Sequence, residues 1–229
     1  MKSDTENFPV ITVDGPAGSG KGTITERVAS HLGWNILDSG ALYRLVGLAA
    51  IREEVDFTDE EQLAKIAETL DVSFIPNGDG VDVILNGDNV SALIRNEECG
   101  SCASKVAAIS GVRSALLERQ RRFSSPNGLV ADGRDMGTVI FPDAKVKIFL
   151  TASAQIRAKR RLNQLKKQGV DANLASLIQD IEERDKRDTT RKVAPLMAAV
   201  DAIIIDTGTF SIDEVVSQVM KTVGKVYKL

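Results

Sequence analysis

Histidine and aromatic side chains are scarce in this sequence. His31 is the single histidine among 229 residues, and the aromatic residues together make up 4%. Histidine-based acid–base catalysis and histidine-rich metal sites therefore have almost no candidate residues. His31 is followed by Leu32 and Gly33, an order typical of the end of a helix, so we interpret it as a helix-end residue.

Cysteine is also rare, and the two residues present form a C-x-x-C pair, Cys99 and Cys102. A structural zinc site needs four ligands, and the sequence offers no second C-x-x-C pair to complete one. No other redox signature accompanies the pair. We therefore expect two reduced thiols, with a metal or redox role as the alternative.

Long apolar runs are missing, because no stretch approaches the 18 residues that a membrane-spanning helix needs. The N-terminal MKSDTENF carries acids instead of a basic start followed by a hydrophobic stretch. The hydrophobic content of 43% is nevertheless ample for a core. We expect a globular, cytoplasmic protein that does not bind membranes.

The net charge is small, since 32 acidic and 29 basic residues give −3, which argues against a general nucleic-acid binder. Residues 157–192 differ from this balance, with 11 basic and 6 acidic residues. The local surplus predicts contact with an anion. The alternative is a solvated helix face, which we favour for Lys159, Lys166 and Lys167.

Short apolar segments separated by helical patterns are what the sequence does contain. Five of them suit buried parallel strands, at 10–13, 35–37, 129–131, 146–150 and 202–205. They predict an α/β fold with a doubly wound, five-stranded parallel sheet. Ligands of such sheets bind beyond the carboxyl ends of the strands, so the loops after them are expected to face one cleft.

An insertion interrupts this pattern between the second and third strands, at about 71–95. Short alternating runs are separated there by Asn-Gly pairs at 77–78 and 86–87. Asn-Gly between alternating runs is a strong hairpin signal, so the insertion predicts a small antiparallel β-meander.

A glycine-rich run follows the first predicted strand directly. It consists of Gly15, Pro16, Ala17, Gly18, Ser19, Gly20, Lys21, Gly22 and Thr23. Glycines let backbone N–H groups converge on an anion, the following helix adds the positive end of its dipole, and Lys21, expected in a solvated loop, adds a charge. The run indicates a nucleoside-triphosphate site, and the alternative is a plain turn before a helix. Gly22 occupies the usual hydroxyl position, which leaves Thr23 as a displaced candidate magnesium ligand.

Polar residues also follow the second predicted strand. Ser39 can cap the next helix, in which case Tyr43 and Arg44 are only first-turn residues. We favour the functional alternative, in which Arg44 binds a phosphate and Tyr43 forms a wall of the acceptor pocket.

Two carboxylates and an arginine, Asp132, Arg134 and Asp135, crowd the end of the third predicted strand. Asp132 stands where phosphate-loop enzymes have a carboxylate that serves magnesium.

Three further arginines, Arg184, Arg187 and Arg191, recur at helical spacing, so that all three can point to one side and bind a shared anion.

Taken together, these runs resemble the bacterial cytidylate kinases, a family of phosphate-loop nucleoside monophosphate kinases. The resemblance is carried by GPAGSGKGT, by ILDSGALYR at 36–44, by ASKVA at 103–107, and by ADGRDMGTVIFPDAKVKIFL at 131–150 and ERDKRDTTRKVAP at 183–195. It covers nearly the whole chain, and the long 131–150 run and the meander insertion are its specific parts. The two cysteines are not part of the family pattern.

The resemblance implies the roles of residues that would bind the acceptor nucleotide. These are Ser104, Arg113 and Asp135 at the cytosine base, Ser39, Arg184 and Asp188 at the ribose, and Arg44, Arg134 and Arg191 at the phosphate. It also implies a single domain over 1–229, with a monophosphate-binding region at 39–112 and a helical lid at 151–170, and it favours a monomer.

The implied reaction transfers the γ-phosphoryl group of ATP to CMP or dCMP, with Mg²⁺ as cofactor. A phosphate acceptor is already anionic, so alignment and charge neutralisation suffice without a general base. The expected catalytic residues are Lys21, Arg134, Arg184, Arg187 and Arg191. Asp132, acting through water, and Thr23 are the candidate metal ligands. The alternatives are a UMP or AMP kinase and a nucleotide-dependent switch protein.

Overall fold

The computed structural model describes residues 8–77 and 80–228. Its strands are β1 (Val10–Asp14), β2 (Asn35–Asp38), β3 (Val72–Asn77), β4 (Gly80–Leu85), β5 (Asp88–Asn89), β6 (Leu129–Gly133), β7 (Val146–Thr151) and β8 (Ile203–Asp206). Its helices are α1 (Lys21–Leu32), α2 (Ser39–Arg52), α3 (Glu60–Thr69), α4 (Glu97–Val106), α5 (Ser110–Arg121), α6 (Ala154–Lys167), α7 (Leu174–Thr190) and α8 (Ile212–Tyr227). A short 3₁₀-helix (Leu93–Arg95) and a π-helix (Met136–Ile140) complete the regular structure of these residues.

The predicted five-stranded parallel sheet is confirmed. Its strand order is β2-β6-β1-β7-β8, and every neighbouring pair is parallel. After β1 the chain moves to one side of the sheet, to β2 and β6, and then crosses to β7 and β8 on the other side. This reversal beside β1 is the switch point at which doubly wound sheets bind ligands.

The chain divides into two compact units. The sheet unit contains the residues up to Asp38 and those from Arg121 onward, and the insert unit is Ser39–Gln120. The insert unit includes the predicted monophosphate-binding region, 39–112. That functional division, and the single domain over 1–229, stay predictions.

The core of the sheet unit lies against β1, all five of whose residues are buried. Ile11 and Val13 pack with valines that recur every four residues along α8, namely Val215, Val219 and Val223. Residues four apart share one face of a helix, so this spacing turns a continuous apolar stripe toward the sheet. The position of β1, and therefore of the loop that follows it, is fixed by this packing.

The predicted meander is also confirmed, with β3, β4 and β5 forming a three-stranded antiparallel sheet. Asn86 and Gly87 connect β4 to β5, with φ of 50° and 85°. Two successive positive φ angles are what a type I′ turn requires. The turn predicted at 77–80 includes Gly78 and Asp79, which lie outside the described residues.

The histidine and the two cysteines lie on helices. His31 lies in the last turn of α1, which ends at Gly33 in the left-handed conformation, as expected. Cys99 and Cys102 are buried thiols on α4, and no disulfide joins them. Among residues 8–77 and 80–228, none of the helices has both the length and the apolar character required to cross a membrane.

Candidate active site

The glycine-rich run forms a loop between β1 and α1. Gly18 and Gly20 have φ of 75° and 90°, a left-handed conformation that glycine adopts without steric cost. Gly20 is the N-cap of α1 and provides no side-chain cap. The N–H groups of the first turn are therefore available to an anion, as the sequence predicts.

Lys21 is the first residue of α1 and is 6% exposed, so the expectation of a solvated loop is wrong. Its Nζ donates to the Pro16 carbonyl at 3.0 Å and lies 3.9 Å from Asp132 Oδ1. Burial is the main cause that lowers the pKa of Lys21 to about 8, and the positive charge of Arg134 adds to it. The loop folds back over the amine, which keeps a cation in a water-poor place where phosphates can bind.

Three carboxylates lie at the ends of neighbouring strands β1, β2 and β6. Asp38 is paired in register with Asp132, and burial is the main cause that raises the pKa of Asp132 to about 7, helped by Asp38 and opposed by Lys21. Asp14 has a different role. Its carboxylate accepts the backbone N–H groups of Met136 and Gly137, both at 2.8 Å, and thereby holds the start of the π-helix directly after Arg134-Asp135.

The fit of a magnesium ion depends on Asp132. No group of three or more His, Cys, Asp or Glu side chains within the described ranges is arranged to hold a metal. Mg²⁺ in phosphate-transfer sites usually needs only one or two carboxylates, its other ligands being water and phosphate oxygens. The loop comes close to Asp132, because a Cβ on Gly22 would lie 3.8 Å from its Oδ2, and Thr23 is exposed nearby in sequence. A buried carboxylate with a raised pKa fits such a cation, which would keep it ionised.

An arginine cluster lies in the same unit. Arg134 Nε donates to Asp188 Oδ2 at 2.9 Å, and Arg191 Nη2 lies 3.5 Å from Asp135 Oδ1. Burial alone would raise the pKa of Asp188, but Arg134, and then Arg184 and Arg191, lower it below its usual value. The structure therefore brings together five of the predicted acceptor-site residues, three arginines and the two buried carboxylates of Asp135 and Asp188.

Arg191 does not continue the helix that carries Arg184 and Arg187. Helix α7 ends at Thr190, and Arg191 has an extended backbone with ψ of 142°. Helical spacing therefore relates Arg184 to the exposed Arg187 but does not place Arg191. Arg191 instead closes the turn after the helix, because its Nε donates to the Ala194 carbonyl at 2.6 Å.

In the insert unit, the Arg113 guanidinium lies 5.7 Å from the centroid of the Tyr43 ring. This distance is within the range of a cation–π interaction. Arg113 is 7% exposed and donates to the Ala107 carbonyl at 3.2 Å, and Ser104, 8% exposed, lies on α4. An ordered arginine beside an aromatic ring fits the predicted base-binding residues.

Arg44 is held at one end of its guanidinium. Its Nη1 donates to the carbonyl oxygens of Ile94 and Asn96 at 2.7 and 3.2 Å. A guanidinium has five N–H donors in a fixed fork, so these bonds orient the group while leaving other donors for a phosphate.

Ser39, the first residue of α2, donates its hydroxyl hydrogen to Gln120 Oε1 at 2.7 Å. Gln120 was not among the predicted site residues.

Arg157 was also missed. Its side chain is 4% exposed and joins three segments. Nε donates to the Ala152 carbonyl at 2.9 Å, Nη1 donates to the Ala17 carbonyl of the glycine-rich loop at 3.1 Å, and the guanidinium fork donates to both carboxylate oxygens of Asp185 on α7. In the sequence it contributed only to a surplus of charge. No local pattern links it to Asp185, 28 residues later.

The predicted lid, 151–170, is largely occupied by α6, whose N-cap is Ser153. Lys159, Lys166 and Lys167 are exposed on this helix, which agrees with the solvated-face interpretation. Movement of the segment stays a prediction.

The chain is similar to known proteins over nearly its whole length. The sequence model of the cytidylate kinase family matches residues 11–225. A cytidylate kinase of Stutzerimonas stutzeri strain A1501 is 58% identical over 218 residues, which cover 94% of this chain and 95% of that protein. A cytidylate kinase of Shewanella frigidimarina strain NCIMB 400 is 54% identical over 223 residues, which cover 96% of this chain and 97% of that protein. A gluconokinase structure from Sinorhizobium meliloti 1021 has a TM-score of 0.47 and 16% identity, with 96% of this chain and 93% of that chain covered. The chain belongs to the cytidylate kinase family.

Proposed function

From this family membership and the geometry of the phosphate loop, we propose that the chain transfers the terminal phosphoryl group of ATP to CMP, and to dCMP. One observation carries the proposal: a buried lysine at an uncapped helix N-terminus lies in the same unit as an arginine cluster around Asp135 and Asp188. A cationic site of this kind suits a reaction between two phosphates, whose mutual repulsion is large unless it is neutralised.

ATP binds to the loop of residues 15–23. The backbone N–H groups from Gly18 to Thr23 hold its β-phosphate, and Lys21 reaches between the β- and γ-phosphates. Because Lys21 is buried, its charge is weakly hydrated and interacts strongly with phosphate oxygens. Asp132, through water, and Thr23 would hold Mg²⁺, which would supply positive charge beside the phosphates of ATP.

In the transfer, a phosphate oxygen of CMP attacks the γ-phosphorus of ATP. The bond from that phosphorus to the bridging oxygen breaks, the oxygen leaves with ADP, and CDP is formed. The acceptor oxygen is already anionic, so no residue has to remove a proton. Arg184 and Arg187 stabilise the charge on the transferred group, while Arg44, Arg134 and Arg191 bind the acceptor phosphate.

Recognition of the nucleoside is assigned to two sets of polar residues. Asp135 accepts a hydrogen bond from the exocyclic amino group of cytosine, and Ser104 and Arg113 bind the acceptor atoms of the base. Uracil presents a carbonyl oxygen in place of that amino group, and a fixed carboxylate repels it. Asp188, with Ser39 and Arg184, binds the ribose hydroxyls.

Exclusion of water completes the proposal, since water would compete with CMP for the γ-phosphoryl group. The segment 151–170 closes over the bound nucleotides as a lid. Its helix, α6, begins at Ala154. Arg157, in the first turn of α6, bonds this helix to the glycine-rich loop and to α7.

The test is a set of ADP-release assays with ATP and each of CMP, dCMP, UMP and AMP. We expect CMP to give the highest kcat/KM, with dCMP next and UMP and AMP far below. A preference for UMP or AMP would reassign the acceptor, and slow ATP hydrolysis that no acceptor stimulates would favour the switch protein.

A matched pair of variants on α7 tests the role of charge. Arg187→Ala is expected to lower kcat by at least tenfold. Lys186→Ala removes a cation that is also exposed, at the preceding position, and is expected to leave kcat within about twofold. Equal effects of the two changes would contradict the role given to Arg187.

A further inference from the structure

The Ser39 hydroxyl has a buried partner that the proposed mechanism does not use. Ser39 is 3% exposed, and its Oγ lies 2.7 Å from Oε1 of Gln120, whose side chain is fully buried near the end of α5. The two residues are 81 positions apart in the chain and both belong to the insert unit. A glutamine buried completely in a protein needs partners for its polar atoms, and this bond provides one.

The orientation of the Gln120 amide is fixed by its other end. Nε2 donates to the Leu116 carbonyl, 3.3 Å away and one helical turn earlier. Rotating the amide by half a turn would bring its oxygen against that carbonyl oxygen, an arrangement of two acceptors with no hydrogen between them. The Gln120 oxygen therefore faces Ser39. Because a carbonyl oxygen only accepts, the Ser39 hydroxyl must be the donor.

We propose that Gln120 is a positioning residue that makes Ser39 a hydrogen-bond acceptor toward the nucleotide. A serine hydroxyl has one hydrogen and two lone pairs, so once the hydrogen points to Gln120 only the lone pairs are left for a ligand. A donor group is then accepted, and a carbonyl or phosphate oxygen is rejected. The inference rests on the proposed function, which brings Ser39 into contact with the acceptor nucleotide.

The matching group on the nucleotide is a neutral N–H or O–H donor. CMP carries two kinds, the ribose hydroxyls and the exocyclic amino group of cytosine. dCMP lacks the 2′-hydroxyl, and UMP has a carbonyl oxygen where CMP has the amino group. The donor assigned to Ser39 is therefore either the 2′-hydroxyl or the exocyclic amino group, and comparing the three nucleotides, which all keep the 3′-hydroxyl, distinguishes these two groups.

The competing explanation is that the bond only joins α2 to α5 and stabilises the insert unit. A structural bond of this kind affects all acceptor nucleotides alike. A bond that fixes the direction of the Ser39 hydrogen changes the ratio between nucleotides, and it does so only while Ser39 is present. A double-mutant cycle separates the two explanations.

The experiment measures kcat/KM for CMP, dCMP and UMP in the full chain and in Gln120→Met, Ser39→Ala and the double variant. Methionine has a similar length and no acceptor, so in Gln120→Met the Ser39 hydrogen is released. In Gln120→Met we expect kcat/KM for CMP to fall about tenfold, the effect of roughly one hydrogen bond. For the nucleotide that lacks the group donating to Ser39, kcat/KM should fall less than threefold. Ser39→Ala, which removes little volume, should also reduce the ratio of kcat/KM for CMP to kcat/KM for that nucleotide. Adding Gln120→Met to Ser39→Ala should not change this ratio further.

Controls and contrary outcomes are defined by the same measurements. Leu116→Met repacks the same helix while keeping the amide, and it should leave both nucleotide ratios unchanged. The inference is overturned if Gln120→Met lowers all three values equally, if neither ratio changes by twofold, or if the change is the same without Ser39. If the unaltered chain phosphorylates none of the three nucleotides, both the proposed function and the inference are overturned. If it phosphorylates CMP normally but the Ser39 and Gln120 substitutions show no coupling, only the inference is overturned.

Discussion

Lys21→Met is expected to make the chain more stable while removing its activity. Methionine resembles lysine in length and shape but has no charge, so it can fill the same buried space. The lysine pKa falls from 10.5 to about 8 because burial disfavours the charged form. Keeping the amine protonated at pH 7 therefore costs about 3 kcal/mol more in the folded chain than in the unfolded chain, and lowers the free energy of unfolding by that amount.

Part of this gain is offset in the variant. The hydrogen bond from Lys21 to the Pro16 carbonyl is lost, and Asp132 loses a cation 3.9 Å away, so its proton is held more tightly. We therefore expect the free energy of unfolding at pH 7 to rise by about 1–2 kcal/mol. Turnover should fall by several orders of magnitude, because the β- and γ-phosphates lose their lysine.

The pH dependence gives the sign an independent check. Between about pH 8 and 10.5 the folded wild-type chain binds fewer protons at Lys21 than the unfolded chain does, so its stability rises with pH in this window. Methionine has no such dependence. The advantage of the variant should thus be present at pH 7 and shrink toward pH 10, as measured by urea unfolding at both pH values. A variant less stable than wild type at pH 7, or a difference independent of pH, would refute the reasoning.

Three further predictions concern the arginine and carboxylate contacts. Asp188→Asn removes the negative charge that pairs with Arg134 and that the proposed contact to the ribose 2′-hydroxyl uses. We expect kcat/KM to fall about tenfold for dCMP and about a hundredfold for CMP, whereas equal losses would exclude a contact to the 2′-hydroxyl. Asp135→Ala should narrow the preference for CMP over UMP by roughly a hundredfold with little change in the KM for ATP, and an unchanged preference would remove Asp135 from the base site. Arg157→Lys keeps the positive charge but loses the bidentate contact to Asp185. The factor by which kcat falls should exceed the factor by which the KM for CMP rises by about tenfold. A kcat that stays at the wild-type value would assign the Arg157–Asp185 pair to stability alone.

Local patterns were enough to predict the sheet and the phosphate loop. Each strand of the sheet is a short apolar run, and Gly18 and Gly20 take up left-handed angles that other residues rarely adopt. The Asn86-Gly87 turn was predictable for the same reason. Features of this kind depend on the conformational preferences of a few consecutive residues, which are written directly in the sequence.

The assignment of site residues depended on family motifs more than on geometry. Helical spacing suggested one face for Arg184, Arg187 and Arg191, but α7 ends at Thr190, and the Arg191 side chain donates to the Ala194 carbonyl in the turn that follows. The cluster around Asp135 nevertheless includes Arg191, brought there by the turn. Residues at helical spacing share a face only as far as the helix continues, and the position of Arg191 depends on the turn beyond it.

The sequence by itself determined the elements, their order and the residue types available for phosphate chemistry. Only the tertiary structure decided that Lys21 is buried, that Asp14 holds the π-helix, and that Gln120 sets the direction of the Ser39 hydrogen. The physical reason is that desolvation and long-range hydrogen bonds arise from packing between distant parts of the chain. Asp14 and Met136 are 122 positions apart, and no pattern within either segment specifies that they meet.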